Sequence, residues 1–304
     1  MINAALARNA VRVWGAAGAQ WLERLPRLLA DLARNWDLVL DTPFDLTFHF
    51  VTAVTLADGT PAVLKLGVPG GEGLRTEVPA LLAFDGRGAV QVLRADPARG
   101  AVLLERAVPG RRLRDLVPAR HTEATAVVAA LVRRLHLPAP PGCPLPDVAS
   151  RIAVFDEHLR THGDHVPLPA GLVGRAAGLM RELCESSTER VVLHGDLHHD
   201  NVLRATREPW LAIDPHGIVG DPGYEIGPLL YNPEPADRAE SLTRLVPARV
   251  EQLSDMLAMP LDRTVAWGFV TAVLSEVETL RPPDPASTPT RALDVATLLL
   301  PRLR

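Results

Sequence analysis

Cysteine and long apolar stretches are both scarce in this 304-residue chain. Cys143 and Cys184 are its two cysteines, and neither their spacing nor their neighbours suit a zinc site, so a disulfide-built scaffold is excluded. No run of about 20 apolar residues is present, which predicts that no helix crosses a membrane. The first residues mix arginine and glutamate with apolar residues and form no clean signal segment, so the expected location is cytoplasmic.

An excess of charge of one sign is also lacking. The 32 basic and 36 acidic residues give a net charge of −4, and this balance argues against nucleic acid as a partner. Lysine is almost absent, because Lys65 is the single lysine and every other basic residue is an arginine. The position of Lys65 is therefore informative, since an ammonium and a planar guanidinium are not interchangeable at a tight binding site.

Aromatic residues make up only 4% of the chain, so a core must be built mainly from aliphatic side chains, and the length predicts about two domains. The first part is predicted to form a small α+β lobe. Residues 4–34 have helical spacing that Pro26 interrupts. Residues 45–56 and 61–67 read as strands joined by an Asp58-Gly59 turn, 72–84 read as a helix, and 89–95 and 101–106 read as a second hairpin.

The second part of the chain is predicted to be mostly helical. Helices are expected near 111–117, 122–136, 147–162, 170–187, 236–258, 261–280 and 288–303. Two short strands, 191–194 and 210–214, interrupt them. We therefore predict an N-terminal lobe over 1–106 and a C-terminal lobe over 107–304, joined near 105–110, with a ligand crevice between them.

The densest polar cluster follows the first of these short strands. It runs from His194 to Asn201, and Asp214 ends the next strand. The order Asp196-x-x-x-x-Asn201 and then Asp214 resembles the kinase catalytic loop followed by a metal-binding aspartate. Asp196 is the predicted base that orients an attacking hydroxyl, and Asn201 and Asp214 are the predicted Mg²⁺ ligands.

The small lobe has the residues for a phosphate-binding pair. Lys65 lies on the return strand of the first hairpin, where a cation can meet the nucleotide phosphates. Glu77, in the middle of the following helix, is its predicted partner. Glu72 is the competitor, but it lies at the helix start, where the helix dipole favours a carboxylate in any case.

Taken together, these segments resemble the aminoglycoside phosphotransferase family, and within it the streptomycin 6-kinase and hydroxyurea kinase branch. The similarity is carried by 194–201 and 213–225, with 61–66, 76–83 and 102–110, and it spans most of 45–230. It implies an α+β fold of the two-lobed, protein-kinase-like type, with a small antiparallel-sheet N-lobe containing one helix and a larger, mostly helical C-lobe. It also implies ATP or GTP with Mg²⁺, transfer to a small-molecule hydroxyl, and adenine binding by the backbone from Glu105 to Ala107.

Three departures from protein kinases and one from the streptomycin branch accompany the resemblance. Gly195 stands where protein kinases carry arginine. No room for an activation loop exists between Asp214 and Glu225, which disfavours a protein substrate. The hairpin at 48–60 lacks a glycine-rich motif, so a loop of different chemistry must cover the phosphates. His216 replaces the lysine expected in the streptomycin branch, and its role stays open.

The sequence gives the least information about the residues that bind the acceptor. A polycationic aminoglycoside such as streptomycin calls for an acidic pocket, and His199 and Glu225 are candidate acceptor contacts beside Asp196. Other acidic candidates lie in the helical lobe: Asp156, Glu157, Glu234, Glu276, Glu278 and Asp284. Asp221 before Pro222 is a predicted helix cap. The alternatives are a kinase for hydroxyurea or another metabolite, a non-catalytic nucleotide-binding regulator, and a metal-dependent hydrolase using the histidines.

Overall fold

The structure, a computed structural model, describes residues 2–44, 46–162, 168, 170–233, 240–280 and 290–303. It has a small sheet-based lobe followed by a larger helical lobe, as expected. No helix in the described ranges is long and apolar enough to cross a membrane.

The chain begins with a long helix, α1 (Ala4–Asn35), that packs on the sheet through buried leucines. The predicted interruption at Pro26 is wrong, because Pro26 lies inside the helix and the break falls at Gly15. Gly15 has φ 55° and ψ −128°, a conformation that glycine adopts without the steric cost of a Cβ. Pro26 is tolerated in the second half, and Leu25 and Leu29 beside it are buried in the small-lobe core.

The small lobe is a five-stranded antiparallel sheet in the order β1-β2-β3-β5-β4. Its strands are β1 (Leu38–Pro43), β2 (Phe50–Leu56), β3 (Pro61–Leu66), β4 (Val92–Asp96) and β5 (Ala101–Glu105). The helix α2 (Glu72–Phe84) has the predicted bounds and follows β3. Lys65 on the central strand β3 pairs with Val51 on one side and Val102 on the other, so its backbone is fixed from both sides.

The first strand differs from the expectation. Residue 44 and residues 46–49 form a loop rather than the start of a strand, and β1 lies before them. Four of the six residues of β1 are exposed, so the strand shows no alternation of apolar and polar side chains. Sequence periodicity therefore gives no signal for this edge strand.

The large lobe is built around one helix. The helices are α3 (His121–Leu135), α4 (Ile152–His162), α5 (Ala170–Glu185), α6 (Ile226–Tyr231), α7 (Glu240–Thr243), α8 (Val246–Leu257), α9 (Leu261–Thr279) and α10 (Arg291–Leu299). Most side chains of α9 are buried, and α5, α6 and α10 pack around it. The helix predicted over 236–258 begins partly outside the described residues.

Short strands carry the polar loops of the large lobe. The strand β7 (Val191–Leu193) pairs with β6 (Leu137–Pro138) and β10 (Ile218–Gly220), and β8 (Val202–Arg204) pairs with β9 (Trp210–Ala212). Ala89, which precedes β4, forms a bridge to Ala212 and links the lobes. The inner face of α2, with Ala80, Leu81 and Phe84, belongs to the large-lobe core. The lobe boundary at 106/107 stays a prediction.

Candidate active site

The buried carboxylate of Glu225 holds the backbone of the loop that follows β7. Glu225 accepts the N–H groups of His194 and Gly195, both at 2.8 Å. The His194 ring donates through Nε2 to the Ile213 carbonyl at 2.9 Å and accepts the Asp196 N–H through Nδ1 at 3.3 Å. Burial raises the pKa of Glu225, but His136, whose Nε2 lies 3.6 Å from Glu225 Oε2, and the charge of His194 lower it to a net value below the ordinary one. The loop therefore rests on an ionised anchor.

This position corrects the expectation that Glu225 contacts the acceptor. The residue has no exposed surface, and its two oxygens are used by the loop backbone. His199, the other candidate contact, is also buried, with 1% of its surface exposed. Both nitrogens of its ring have no hydrogen-bond partner, and burial followed by the charge of Arg249 lowers its pKa well below the ordinary value. Neither residue lines the acceptor cavity in this structure.

Replacing Glu225 by glutamine is expected to lower the free energy of unfolding by about 2–3 kcal/mol. The amide keeps one acceptor oxygen but turns an NH₂ group toward a backbone N–H donor, so one buried donor loses its partner. Urea denaturation measures the loss. Glu251→Gln is the control, because Glu251 is exposed and pairs with Arg302 at 3.3 Å. A loss as small as that of the control would show that the carboxylate does not hold the loop.

Asp196 lies in the cleft among polar neighbours. Its Oδ2 accepts the Asn201 Nδ2–H at 3.2 Å, and Nε2 of His198 and of His216 lie 3.5 and 3.7 Å away. Burial raises the pKa of Asp196, but the hydrogen bond and charge of His198 and the charges of His216 and His194 bring it below its ordinary value. The carboxylate is therefore ionised at neutral pH and can accept a hydrogen bond from a hydroxyl. His216, whose role was open, faces this carboxylate.

Asn201 and Asp214 lie on connected backbone segments. The Ile213 N–H donates to the Asn201 carbonyl at 2.9 Å, which joins the end of the catalytic loop to the residue before Asp214. The Asn201 amide nitrogen donates to the Asp196 carbonyl at 3.0 Å, so its Oδ1 is left for another ligand. Asp214 has φ 59°, a left-handed conformation that aspartate tolerates better than most residues. An amide oxygen and a carboxylate are donors that Mg²⁺ favours, so this pair fits the predicted ion.

The predicted ion pair between Lys65 and Glu77 is present. Lys65 Nζ lies 2.6 Å from Glu77 Oε2 and 2.5 Å from Asp214 Oδ1, and Lys65 and Glu77 are both buried. Burial lowers the pKa of Lys65, but the charges of Glu77 and Asp214 raise it above its ordinary range, so the ammonium stays charged. For Asp214, burial raises the pKa and the charge of Lys65 lowers it well below its ordinary range.

Burial of the Lys65–Glu77 pair has its clearest effect on the pKa of Glu77. Burial raises its pKa to about 7, against the lowering effect of Lys65, and its Oε1 is buried without a hydrogen-bond partner. Glu72, the competing partner, is exposed at the first residue of α2. The Lys65 ammonium beside Glu77 therefore offsets only part of the effect of burial on the pKa of Glu77.

Lys65→Met is expected to destabilise the fold by about 3–5 kcal/mol at about pH 8.5 and by less at about pH 5.5. Without the ammonium, the pKa of Glu77 rises further above its unfolded value. A raised pKa gives stability that is present at low pH and lost as the pH rises through the folded-state pKa, because the buried carboxyl must then ionise. Chemical denaturation at both pH values measures this.

The double variant Lys65→Met/Glu77→Gln is the control for that pH dependence. It has no ionisable group at position 77, so its loss of stability should differ little between the two pH values. An equal loss for Lys65→Met at both pH values would contradict the assignment of the buried charge to Glu77.

Arg207 anchors the connector between the lobes through contacts that the sequence did not reveal. Arg207, in the turn between β8 and β9, donates two bonds of 2.8 Å to the carboxylate of Glu105 and others to the carbonyls of Gly86 and Ala89. Glu105 also has its backbone N–H bonded to Gln91, while the backbone of half-buried Ala107 makes no hydrogen bond to another described residue. Adenine binding by 105–107 stays a prediction.

A cavity of about 590 Å³ opens at Asp196. Tyr224, Tyr231 and Ser275 are hydroxyl-bearing residues of its wall, which has both polar and apolar parts. The lining residues are Phe48, Arg151, Gly195, Asp196, His198, His216, Tyr224, Pro228, Tyr231, Asn232, Thr271, Leu274, Ser275, Glu278, Thr279 and Thr290. The carboxylate of Asp196 and the cavity volume of about 590 Å³ suit an alcohol of drug-like size.

The acidic side chains expected around the acceptor are mostly elsewhere. Glu278 alone of that group lines the cavity, and Arg151 lies 3.3 Å from it. The others make separate contacts: Asp156 pairs with Arg181, Glu157 pairs with Arg160, and Glu276 accepts the N–H groups of Thr290 and Leu293. Glu234 and Asp284 lie outside the described residues. The predicted cap by Asp221 is confirmed, since its Oδ1 accepts the Gly223 N–H at 2.8 Å.

Comparisons with known proteins show the family of the chain. Residues 36–281 match the family described as aminoglycoside/hydroxyurea antibiotic resistance kinase. The chain is 36% identical to a hydroxyurea phosphotransferase of Kitasatospora aureofaciens, covering 99% of this chain and 86% of that protein. It is also 36% identical to a streptomycin 6-kinase of Streptomyces griseus, covering 86% of this chain and 85% of that one.

The fold is also that of solved kinases. An aminoglycoside phosphotransferase of Streptomyces rimosus, in complex with ADP and streptomycin, is similar with a TM-score of 0.57 and 20% identity over 84% of this chain and 98% of its own. The fold and the sequence matches confirm the predicted α+β, protein-kinase-like architecture and the predicted family. The chain belongs to the aminoglycoside/hydroxyurea antibiotic resistance kinases and is a nucleotide-using phosphotransferase that acts on a small molecule.

Proposed function

We propose that this kinase transfers the γ-phosphate of ATP or GTP to a hydroxyl of an aminoglycoside of streptomycin type. The observation that carries the proposal is that Asp196, at the start of the Asp-x-x-x-x-Asn motif, lines a cavity of about 590 Å³ with hydroxyl-bearing walls. Pockets of about 300–1,000 Å³ hold drug-sized ligands. The streptomycin kinases among its relatives favour the same acceptor class.

The roles of the residues follow from their geometry. Asp196 accepts a hydrogen bond from the attacking hydroxyl and orients it toward the phosphorus. Lys65, fixed by Glu77, neutralises the nucleotide phosphates, and the backbone of 105–107 holds the base. Asn201 and Asp214 would hold Mg²⁺, which when bound neutralises phosphate charge. Lys65 contacts Oδ1 of Asp214, whose side chain is 53% exposed, so a ligand can still reach this carboxylate.

Hydroxyurea is the second candidate acceptor. It is favoured by the relative that covers 99% of this chain, a hydroxyurea phosphotransferase. The cavity disfavours it, because hydroxyurea is far smaller than 590 Å³ and would contact only a fraction of the walls. The hydrolase alternative needs a ligand cluster, and in the described part of the chain no three His, Cys, Asp or Glu side chains are arranged to hold a metal ion.

A nucleotide-consumption assay across acceptors tests the proposal. The acceptors are streptomycin, hydroxyurea and choline, each with ATP and with GTP in the presence of Mg²⁺, and mass spectrometry identifies the phosphorylated product. We expect streptomycin to raise consumption and gain one phosphate, and Asp196→Ala to abolish the increase. Consumption raised by hydroxyurea alone would assign the second function, and no increase with any acceptor would overturn the aminoglycoside proposal.

A further inference from the structure

The loop between β1 and β2, of which the structure describes residues 44 and 46–49, lies beside the predicted phosphate site, and its sequence contains no glycine. Its last residue, His49, is largely buried, and a Cβ added at Gly67 or at Gly73 would lie 2.8 Å from its ring. Gly67 is two residues beyond Lys65, and the charges of Lys65 and Asp214 act on the His49 ring. This loop, whose last two residues are the first two of the 48–60 hairpin, therefore lies beside Lys65 and Asp214.

Side chains at the start of the chain and on the helix α1 hold this loop in place by hydrogen bonds. Asn3 Nδ2 donates to the Leu46 carbonyl and Asn9 Nδ2 to the Thr47 carbonyl, both at 3.1 Å. Leu46 is buried in the small-lobe core, and the His49 ring lies 6.4 Å from the ring of Trp14 on α1. Backbone bonds to a packed helix and two buried anchors leave little freedom to the residue between them, Phe48.

Phe48 lines the acceptor cavity together with Asp196, and it is the one lining residue that the described part of the small lobe contributes. Phe48 is 39% exposed, so a ligand in the cavity can reach its ring. Tyr224 and Ser275 are hydroxyl-bearing residues of the same cavity. An aromatic side chain and hydroxyl-bearing residues in one cavity suit a hydroxylated ring, whose C–H face packs on an aromatic side chain.

We propose that Phe48 is a specificity-determining residue that contacts the acceptor and selects a ring-bearing polyol. This inference rests on the proposed function, since it takes Asp196 as the residue that orients the acceptor hydroxyl. The ring of Phe48 covers one face of the acceptor while Asp196 holds the hydroxyl. The same ring shields the cavity from water, which would otherwise compete for the phosphate.

Phe48→Ala tests the contact, with Phe44→Ala as the matched control. Phe44 is an exposed phenylalanine at the other end of the same loop, and it packs at 6.0 Å from the Arg106 guanidinium rather than in the cavity. We expect Phe48→Ala to raise the KM for streptomycin about tenfold and to increase acceptor-free nucleotide hydrolysis, with the KM for nucleotide changed less than about twofold. Phe48→Tyr should restore the acceptor KM, and Phe44→Ala should resemble the wild type.

Two outcomes would overturn the role of Phe48: an equal acceptor KM in the two alanine variants, or a change confined to the nucleotide KM. Calorimetric binding of streptomycin to the wild type and to Phe48→Ala separates this proposal from the proposed function. If no acceptor is phosphorylated, the proposed function fails, and binding that is about tenfold weaker in the variant still supports the contact. Equal binding by both proteins, or no binding by either, overturns it.

Discussion

Asp196→Asn is expected to lower kcat roughly 10²–10⁴-fold, the range that a positioned general base contributes. Asparagine keeps the size of the side chain but cannot take a proton from the acceptor hydroxyl, and its amide can no longer pair with the surrounding histidines as a carboxylate does. The KM for nucleotide should change less than about twofold, because Asp196 is not among the predicted phosphate or metal ligands. Steady-state kinetics with streptomycin as the acceptor measure kcat and the KM for nucleotide.

The neighbouring aspartate gives the control. Asp200 lies four residues further along the same loop, where Arg114 donates to it at 2.9 Å, and it does not line the cavity. Asp200→Asn should keep kcat within about threefold of the wild type, since it alters a partly exposed ion pair. Similar losses of kcat in the two variants would mean that Asp196 supports the loop rather than the reaction.

The parts of the site that the sequence predicts are those whose spacing along the chain is set by the chemistry. Asp196 and Asn201 must reach one reacting centre from one loop, so their separation is visible in the sequence. The helix over 72–84 was predicted with its observed bounds, and Glu77 meets Lys65 as expected. Neutralising phosphate charge and binding a metal ion through oxygen atoms each require particular residue types. Because Lys65 is the single lysine of the chain, the sequence itself indicates the residue that is predicted to meet the phosphates.

The parts that the sequence does not predict depend on which segments meet in space. Glu225 is acidic and close to the motif, and only the packing of the turn Pro222–Glu225 against β7 shows that it anchors His194 and Gly195 instead of lining the cavity. Arg207 is one arginine among many, and its bonds to Glu105 and Gly86 join residues about a hundred positions apart. No local pattern marks such contacts, because burial and partner are properties of the tertiary fold.

Lys65→Arg is expected to lower kcat/KM for nucleotide roughly 10²–10³-fold while the protein remains folded. The charge is retained, so Glu77 and Asp214 keep a cation between them. The guanidinium is planar and larger, and the site that it must enter is buried and shaped for a compact ammonium whose Nζ is within 2.6 Å of both carboxylates. Its donors then point away from the position that the phosphate oxygens require. Kinetics at varied nucleotide concentration and circular dichroism measure the activity and the fold.

Arg75→Lys is the control, because it exchanges arginine and lysine at a position outside the site. Arg75 is exposed on α2, two residues before Glu77, so exchanging one cation for the other there should leave kcat/KM within about twofold. A further variant, Lys65→Arg/Glu77→Asp, shortens the buried carboxylate and makes room for the guanidinium, and it should recover part of the lost activity if misplacement of the cation is the cause. Activity of Lys65→Arg equal to that of Arg75→Lys would show that the site needs only a positive charge, and the scarcity of lysine in the chain would then have no bearing on catalysis.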